Sequence, residues 1–386
     1  MKQMAFFVFL TIILSVHFGV NLYIYFRGIQ GLEAWPVVKA CFRWGVIFFM
    51  LAYPIGRFLE KVWLSPVSDV FHWAGALWFA VMLYAFLLLL PIDLVRLANR
   101  LFHFLPQIGS PEYLRLKLIV TGMVVSAVVL IVGGGFLNAW HPKVSYMTLH
   151  IPKNGGEFER LRIVAASDVH MGTIIAKRKI DKLVDTIHGL DPDLILFAGD
   201  VVDEDVQPVI RQNLGRSLLR LKAPLGVYAI TGNHEHIGGV SRTVEYLSSH
   251  GLTFLRDTAI LVHNSFYIVG REDRDVRRSS GRDRRSMEEL MHHVDRSKPV
   301  ILLDHQPYNL QEAVEAGVDL QLSGHTHHGQ LWPFGYVTQR IFEVSRGYLK
   351  RAETHFYVST GFGTWGPPVR TGNRPEIVVF DLVFDK

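Results

Sequence analysis

Cysteine is nearly absent: Cys41 is the only one in 386 residues. An internal disulfide framework and a cysteine-based zinc site are therefore excluded, and disulfides say nothing about compartment. Internal repeats, low-complexity linkers and a serine in a nucleophile-elbow pattern are missing too. Charge is scarce in the first 142 residues, which hold ten Lys or Arg and five Asp or Glu. That excess of five is the whole net charge, because the remaining 244 residues hold thirty of each sign. A basic balance confined to an apolar half sets membrane topology, so a nucleic-acid partner loses its main argument.

What fills the first 142 residues is apolar. Met4–Phe26 carries no charge and spans roughly 35 Å as a helix. It is too long for a signal-peptide core and lacks an A-x-A site, which favours a retained helix over a cleaved leader. Further spans are expected at Val37–Tyr53, Val70–Leu90 and Leu118–Leu137, with Pro91 closing the third and Gly133–Gly135 loosening the end of the fourth. The loops after the first and third spans hold seven cations (Arg27, Lys39, Arg43, Arg96, Arg100, Arg115, Lys117). The N-terminal tail and second loop hold three (Lys2, Arg57, Lys61). The positive-inside rule then puts both termini, and residues 143–386, outside the cytoplasm of a multi-pass membrane protein.

From about Lys143 the pattern changes to short β-rich runs: LRIVAAS, DLILFAG, GVYAITG, FYIVG, PVILLD, LQLSG, FYVST and IVVFDLVF. Helical stretches such as AKRKIDKLVDTIHGL and TVEYLSSHG lie between several of them. Alternation of this kind predicts an α/β domain over 143–386 behind a four-helix membrane domain over 1–142. Ligands in α/β domains gather beyond the carboxyl ends of strands. Five predicted strand ends deliver Asp168-Val169-His170, Gly199-Asp200, Gly232-Asn233-His234-Glu235, Asp304-His305 and Gly324-His325-Thr326-His327. Carboxylate, imidazole and one amide oxygen together suit a pair of divalent cations. Extended residues two apart point the same way, so Asp168/His170 and His325/His327 are each expected to face one site.

These five blocks, in this order, resemble the calcineurin-like metallophosphoesterases of the membrane-anchored bacterial branch, over roughly residues 160–384. The resemblance implies a calcineurin-like αββα sandwich and two divalent metal ions, drawn from Mn, Fe, Zn, Co or Ni. One metal is implied to take Asp168, His170, Asp200 and His327. The other takes Asp200, Asn233, His305 and His325, with Asp200 bridging. His234 is implied to face the phosphoryl group or leaving oxygen, with Glu235 orienting it from behind. A hydroxide bridging the metals is then expected to hydrolyse the phosphate ester without a phospho-enzyme, which would make the protein a phosphodiesterase or pyrophosphohydrolase.

His328 is expected on the pocket rim, and His292 and His293 on a surface helix. The stretch REDRDVRRSSGRDRR (271–285) carries seven arginines against four acids, so it is either a solvated, mobile loop, or an arginine-lined lid or contact with anionic lipid headgroups and phosphates. Arg271 there, and Arg370 in GFGTWGPPVRTGNRPEI, are candidate substrate-rim residues beside Trp365, Pro367 and Pro368, the alternative for the latter stretch being a rigid structural turn. Anchoring to a lipid bilayer makes a lipid-linked substrate such as UDP-2,3-diacylglucosamine one reading. The alternative is a transporter or receptor with a regulatory phosphoesterase-like domain, disfavoured by the scarcity of charge within the spans. Composition and motifs leave the oligomeric state open.

Overall fold

Proline opens three of the four N-terminal helices, at the position where a missing N–H costs nothing. The computed structural model describes residues 2–385 and forms two compact units. The first runs to Phe136 and includes Gly366–Val369; the second comprises Leu137–Trp365 and the chain from Arg370 onward.

In the first unit the helices are α1 (Lys2–Gly31), α2 (Pro36–Val62), α3 (Pro66–Phe102) and α4 (Pro111–Ala139). Four helices among the described residues are long and apolar enough to cross a membrane, the first of them over Thr11–Gly31. All four outrun the spans expected from sequence. Pro91 does not end α3, which continues to Phe102; a proline interior to a long helix removes one hydrogen bond without forcing a stop. Gly133–Gly135 likewise stay helical. Several polar groups within the helices are paired. Asn21 accepts from Trp78 Nε1 at 2.7 Å, Asp93 accepts from Tyr23 at 2.6 Å and from Arg27, and Glu60 pairs with Arg57 at 2.7 Å.

The second unit contains twelve strands in two sheets. They are β1 (Lys143–Asn154), β2 (Arg160–Ala166), β3 (Leu194–Ala198), β4 (Val227–Ile230), β5 (Thr253–Phe254), β6 (Thr258–Val262), β7 (Phe266–Gly270), β8 (Val300–Leu303), β9 (Leu320–Ser323), β10 (Gly347–Arg351), β11 (Thr354–Val358) and β12 (Glu376–Asp385). One sheet runs β1-β12-β2-β3-β4-β5 and the other β10-β11-β9-β8-β7-β6. Strands β2 to β5 are mutually parallel, as are β7, β8, β9 and β11.

Period-two patterning builds the interior. Leu161, Ile163 and Ala165, Leu194 and Leu196, Ile301 and Leu303, Leu320 and Leu322, and Val378, Phe380 and Leu382 join one buried cluster drawn from both sheets. The intervening Val269, Val300, Leu302, Phe356 and Val358 turn the other way. They pack with Met287, Leu290, Ala313 and Ala316 from the helices Met287–Met291 and Gln311–Ala316. On α5 (Lys177–His188), Ile180, Leu183, Val184 and Ile187 form a fully buried stripe at helical spacing. This is an αββα sandwich. Each buried Leu, Ile or Phe contributes roughly 1.5–3 kcal/mol, which is why these strands read so plainly in the sequence.

Candidate dimetal centre

The loop after β2 carries Asp168 and His170, the loop after β3 carries Asp200, and the helix after β4 begins at Asn233. From the other sheet, the loop after β8 carries His305, and the turn after β9 carries His325 and His327. The expected extended alternation is not what aims these side chains. Asp168, His170, Asp200, His325 and His327 have φ between 43° and 69°, left-handed backbone that non-glycine residues rarely adopt. Such strain persists only where surrounding bonds over-determine it. Here Asp168 N–H donates to Gly199 O at 3.0 Å and His170 N–H to Asp200 O at 3.0 Å. His325 N–H donates to Asp168 Oδ1 at 2.8 Å, and His234 N–H to Asp200 Oδ1 at 2.9 Å.

The glycine of each motif follows from the same crowding. A Cβ on Gly324 would run into the Asp168 carboxylate, one on Gly232 into the Asp200 carboxylate, and one on Gly199 into the His305 ring.

Three groups of ligand-type atoms result: Asp168, His170 and His327; Asp200, His305 and His325; and His170, Asp203 and His234. In the first, His170 Nε2 and His327 Nε2 are 2.9 Å apart, and His327 Nε2 lies 3.5 Å from Asp168 Oδ1. In the second, Asp200 Oδ2 is 3.0 Å from His305 Nε2; the same oxygen is 4.0 Å from His170 Nε2, so it faces both groups. Asn233 Oδ1 lies 2.8 Å from His325 Nδ1. All seven predicted ligand residues are thus brought together.

Their chemistry fits cations. His305 Nδ1 donates to Ala198 O at 2.7 Å, which leaves Nε2 as a buried lone pair without a hydrogen-bond partner, aimed at a carboxylate oxygen. Two acceptors at that distance need a positive charge between them. A backbone carbonyl behind a ligating imidazole is also the usual way its tautomer is fixed. Burial pushes the His305 pKa down, but the Asp200 charge prevails and raises it well above the ordinary value, so the carboxylate favours positive charge beside this ring. Burial, then the neighbouring His305, drives His325 down to about 3, so its ring is neutral and offers a lone pair.

Glu235 does not orient His234. Its carboxylate accepts the backbone N–H groups of Gly232 (2.7 Å), Val202 (2.9 Å) and Asp200 (3.1 Å), tying together the loops that carry Asp200 and Asn233. The partner of His234 is Asp203, whose Oδ1 is 3.2 Å from His234 Nδ1 and 3.4 Å from His170 Nδ1. Burial opposes charge on both, yet Asp200 and then Asp203 raise His234 to about 10, while the two imidazoles hold Asp203 far below the usual carboxylate range. Sequence reasoning missed Asp203, although its spacing in Gly199-Asp200-Val201-Val202-Asp203 was the available signal.

Arg370 is completely enclosed and lies behind His327 instead of on a rim. Its Nη2 is 3.0 Å from His327 Nδ1, and it donates to Gly363 O and Thr360 O. Asn373, also missed, donates to the backbone carbonyl of His327 and accepts from Arg370. Asn138, in the last turn of α4, donates to Arg370 O and Asn373 O at 2.8 Å each. Arg271 pairs with Asp304 at 3.2 Å and Glu312 at 2.7 Å. His328 is buried against Ser345 Oγ at 2.9 Å, outside the three groups and not on a rim. His292 and His293 are exposed. Trp365 is exposed, with its ring 6.2 Å from that of His234.

Residues 161–329 match the family model for calcineurin-like phosphoesterases. An Aquifex aeolicus metallophosphoesterase is 35% identical over 242 residues, 62% of this chain and 90% of that one. A Campylobacter jejuni metallophosphoesterase is 27% identical, covering 98% of this chain and 99% of its own. A zebrafish (Danio rerio) transmembrane protein with a metallophosphoesterase domain is 29% identical, covering 96% and 87%. The chain belongs to the calcineurin-like phosphoesterase family. It is a membrane-associated, metal-dependent hydrolase of phosphoric esters, and the family works with two divalent metals.

Proposed function

We propose that residues 1–142 anchor a catalytic domain, 143–386, outside the cytoplasm, where it cleaves a phosphodiester or pyrophosphate bond in a lipid-linked substrate. Asp168, His170, Asp200 and His327 would hold one metal, and Asp200, Asn233, His305 and His325 the other. When bound, such a pair polarises phosphoryl oxygens and makes water acidic enough to serve as the nucleophile near neutral pH.

The chain's own residues supply the rest. Asp203 fixes the His234 ring through Nδ1, leaving Nε2 to bond the phosphoryl or leaving-group oxygen and to deliver a proton as the ester bond breaks. Glu235 keeps the Asp200 and Asn233 loops in register, and Trp365 walls one side of the His234 ring. The observation that carries this reading is the buried Asp200 carboxylate facing His305 and His170 from opposite sheets.

Tethering confines the active site near headgroups, which supports a lipid-linked substrate, of which UDP-2,3-diacylglucosamine is one example. The excess of cations in the first and third loops supports the extracytoplasmic side. A panel of phosphomonoesters, diesters and lipid pyrophosphates, each with added divalent metals, tests the proposal. Preference for the lipid compounds is expected; equal turnover of soluble nitrophenyl esters would remove the lipid argument. Protease accessibility of the C-terminal domain in sealed vesicles checks sidedness.

A further inference from the structure

Between β9 and β10 the chain turns its apolar residues outward. Trp332, Phe334, Tyr336, Val337 and Ile341 are each 45–65% exposed. From residue 143 to 331 such residues stand singly, at Tyr146, Leu219, Ile237 and Leu261, which is ordinary for a soluble surface. Five within ten positions are not ordinary. Residues 335–341 form a helix, yet none of its residues is buried. Phe334, Val337 and Ile341 recur at helical spacing, as the stripe of α5 does, but this stripe faces away from the core.

The segment is held firmly at both ends. Leu331 and Phe342 are buried, and Phe342 packs on the rings of Tyr308 at 4.8 Å and His325 at 5.9 Å between centres. Trp332 N–H donates to Thr371 Oγ1 at 2.9 Å, and Gln330 O accepts from Thr371 N–H at 3.1 Å and Gly372 N–H at 3.0 Å. A fixed backbone therefore presents the five side chains outward.

The neighbouring chain shows what covers them. Asn138, in the last turn of α4, holds the carbonyls of Arg370 and Asn373, and Thr371 between these holds Trp332. All of these residues belong to the second unit. One short strap, 370–373, thus joins the root of the apolar segment to the end of a helix long and apolar enough to cross a membrane. Charge agrees with that neighbour. Arg340 and Arg346 are exposed and form no ion pair among the described residues, while Glu343 between them is taken by Arg351. Trp and Tyr beside aliphatic residues, with arginines among them, are what a membrane–water interface selects.

We infer that residues 332–341 are a second membrane contact, lying in the headgroup region of the bilayer that α4 crosses, with Arg340 and Arg346 on lipid phosphates. The inference rests on the helices crossing a membrane and does not depend on what the domain hydrolyses. It has a consequence for the site. Gln330 also grips Trp365, accepting its N–H at 2.9 Å and donating to its carbonyl at 3.0 Å, and the Trp365 ring stands beside His234. The contact would hold that side of the dimetal centre at the level of the headgroups.

Full-length Cys41→Ser protein is labelled with a nitrobenzoxadiazole dye at Tyr336→Cys, or at Leu261→Cys on an edge strand as control. Both are placed in nanodiscs of mixed phosphatidylcholine and phosphatidylglycerol. Lipids carrying a nitroxide near the headgroup are expected to quench the first dye at least about threefold more than the second; equal quenching overturns the inference. Adding Val337→Asp and Ile341→Asp should abolish the excess, with turnover of soluble bis-(p-nitrophenyl) phosphate within about twofold of the wild type as the check on folding. An excess that survives them overturns the contact, since the tether alone then brings the dye near lipid. Arg340→Glu with Arg346→Glu leaves the apolar residues in place and should lower quenching more in these discs than in pure phosphatidylcholine; an equal effect overturns the headgroup role. A dye shielded from aqueous iodide yet untouched by nitroxide lipid would mean that a second copy covers the patch, and would overturn the membrane assignment. If the wild type turns over no ester, the phosphoesterase reading fails while quenching still judges the contact.

Discussion

The two sheets of the second unit make unequal contributions to one site. Strand ends of β2, β3 and β4 bring both carboxylates and the amide, together with His170 and His234, whereas β8 and β9 bring only imidazoles: His305, His325 and His327. One face therefore supplies the carboxylates and the other only imidazole nitrogens, and neither alone is a complete ligand set. The lesson is that binding is a property of the packed sandwich. Anything that loosens the interface between the sheets should be felt as lost metal before it is felt as lost secondary structure.

Substituting across this divide sharpens the comparison. Asp200→Asn should be the most damaging single change, because one oxygen faces both groups of ligands. Turnover is expected to fall on the order of a thousandfold, with elemental analysis finding less metal per chain; wild-type rate and metal content would refute the shared role. Next come His305→Ala and His327→Ala, each removing one imidazole from the side that supplies only imidazoles. Each should lower metal content by about one ion per chain, and full occupancy in either variant would break the division into two ligand groups.

Asp203→Asn should be milder, about 10–100-fold in kcat, with metal content preserved, since Asp203 fixes rings without belonging to either of the two sets formed by the seven ligands. Loss of both metals there would move Asp203 into the ligand set. The smallest effect on turnover is expected for Lys179→Met, at a residue that hydrogen-bonds Ala139 O and none of the ligands. Burial, then Arg370, pushes Lys179 down to about 7, while an unfolded lysine titrates near 10.4. Between those values the unfolded chain binds more protons, so this group makes stability rise with pH. Thermal unfolding at about pH 7 and pH 9 should show a flatter rise in Lys179→Met; an unchanged slope would mean that Lys179 is ordinarily charged.

All eight β-runs that the sequence displayed are interior strands, and β1, β5, β6 and β10, which it hid, are the four sheet edges. An interior strand is apolar on both faces and appears as a continuous run. An edge strand such as β1 is largely solvent-exposed and breaks its pattern with Lys143, Ser145 and His150. The ligand residues were legible because each follows an interior strand. Their aim was not, because left-handed backbone at Asp168 or His327 depends on bonds from distant loops that no local pattern encodes. Arg370 and Asn373 were opaque for the same reason: nothing near them in sequence announces that they hold His327 from behind.

Asn138 has a practical corollary. Composition changes at residue 143, yet the side chain that pegs Arg370 and Asn373 sits five residues earlier, inside the last helical turn. Lys179 also rests its ammonium on Ala139 O at 2.7 Å, and Lys182 reaches Trp140 O at 3.0 Å. A truncation cut at the apparent seam would therefore discard the peg along with the anchor. The smallest piece that keeps His327 braced therefore begins inside the last turn of that helix, ahead of Asn138.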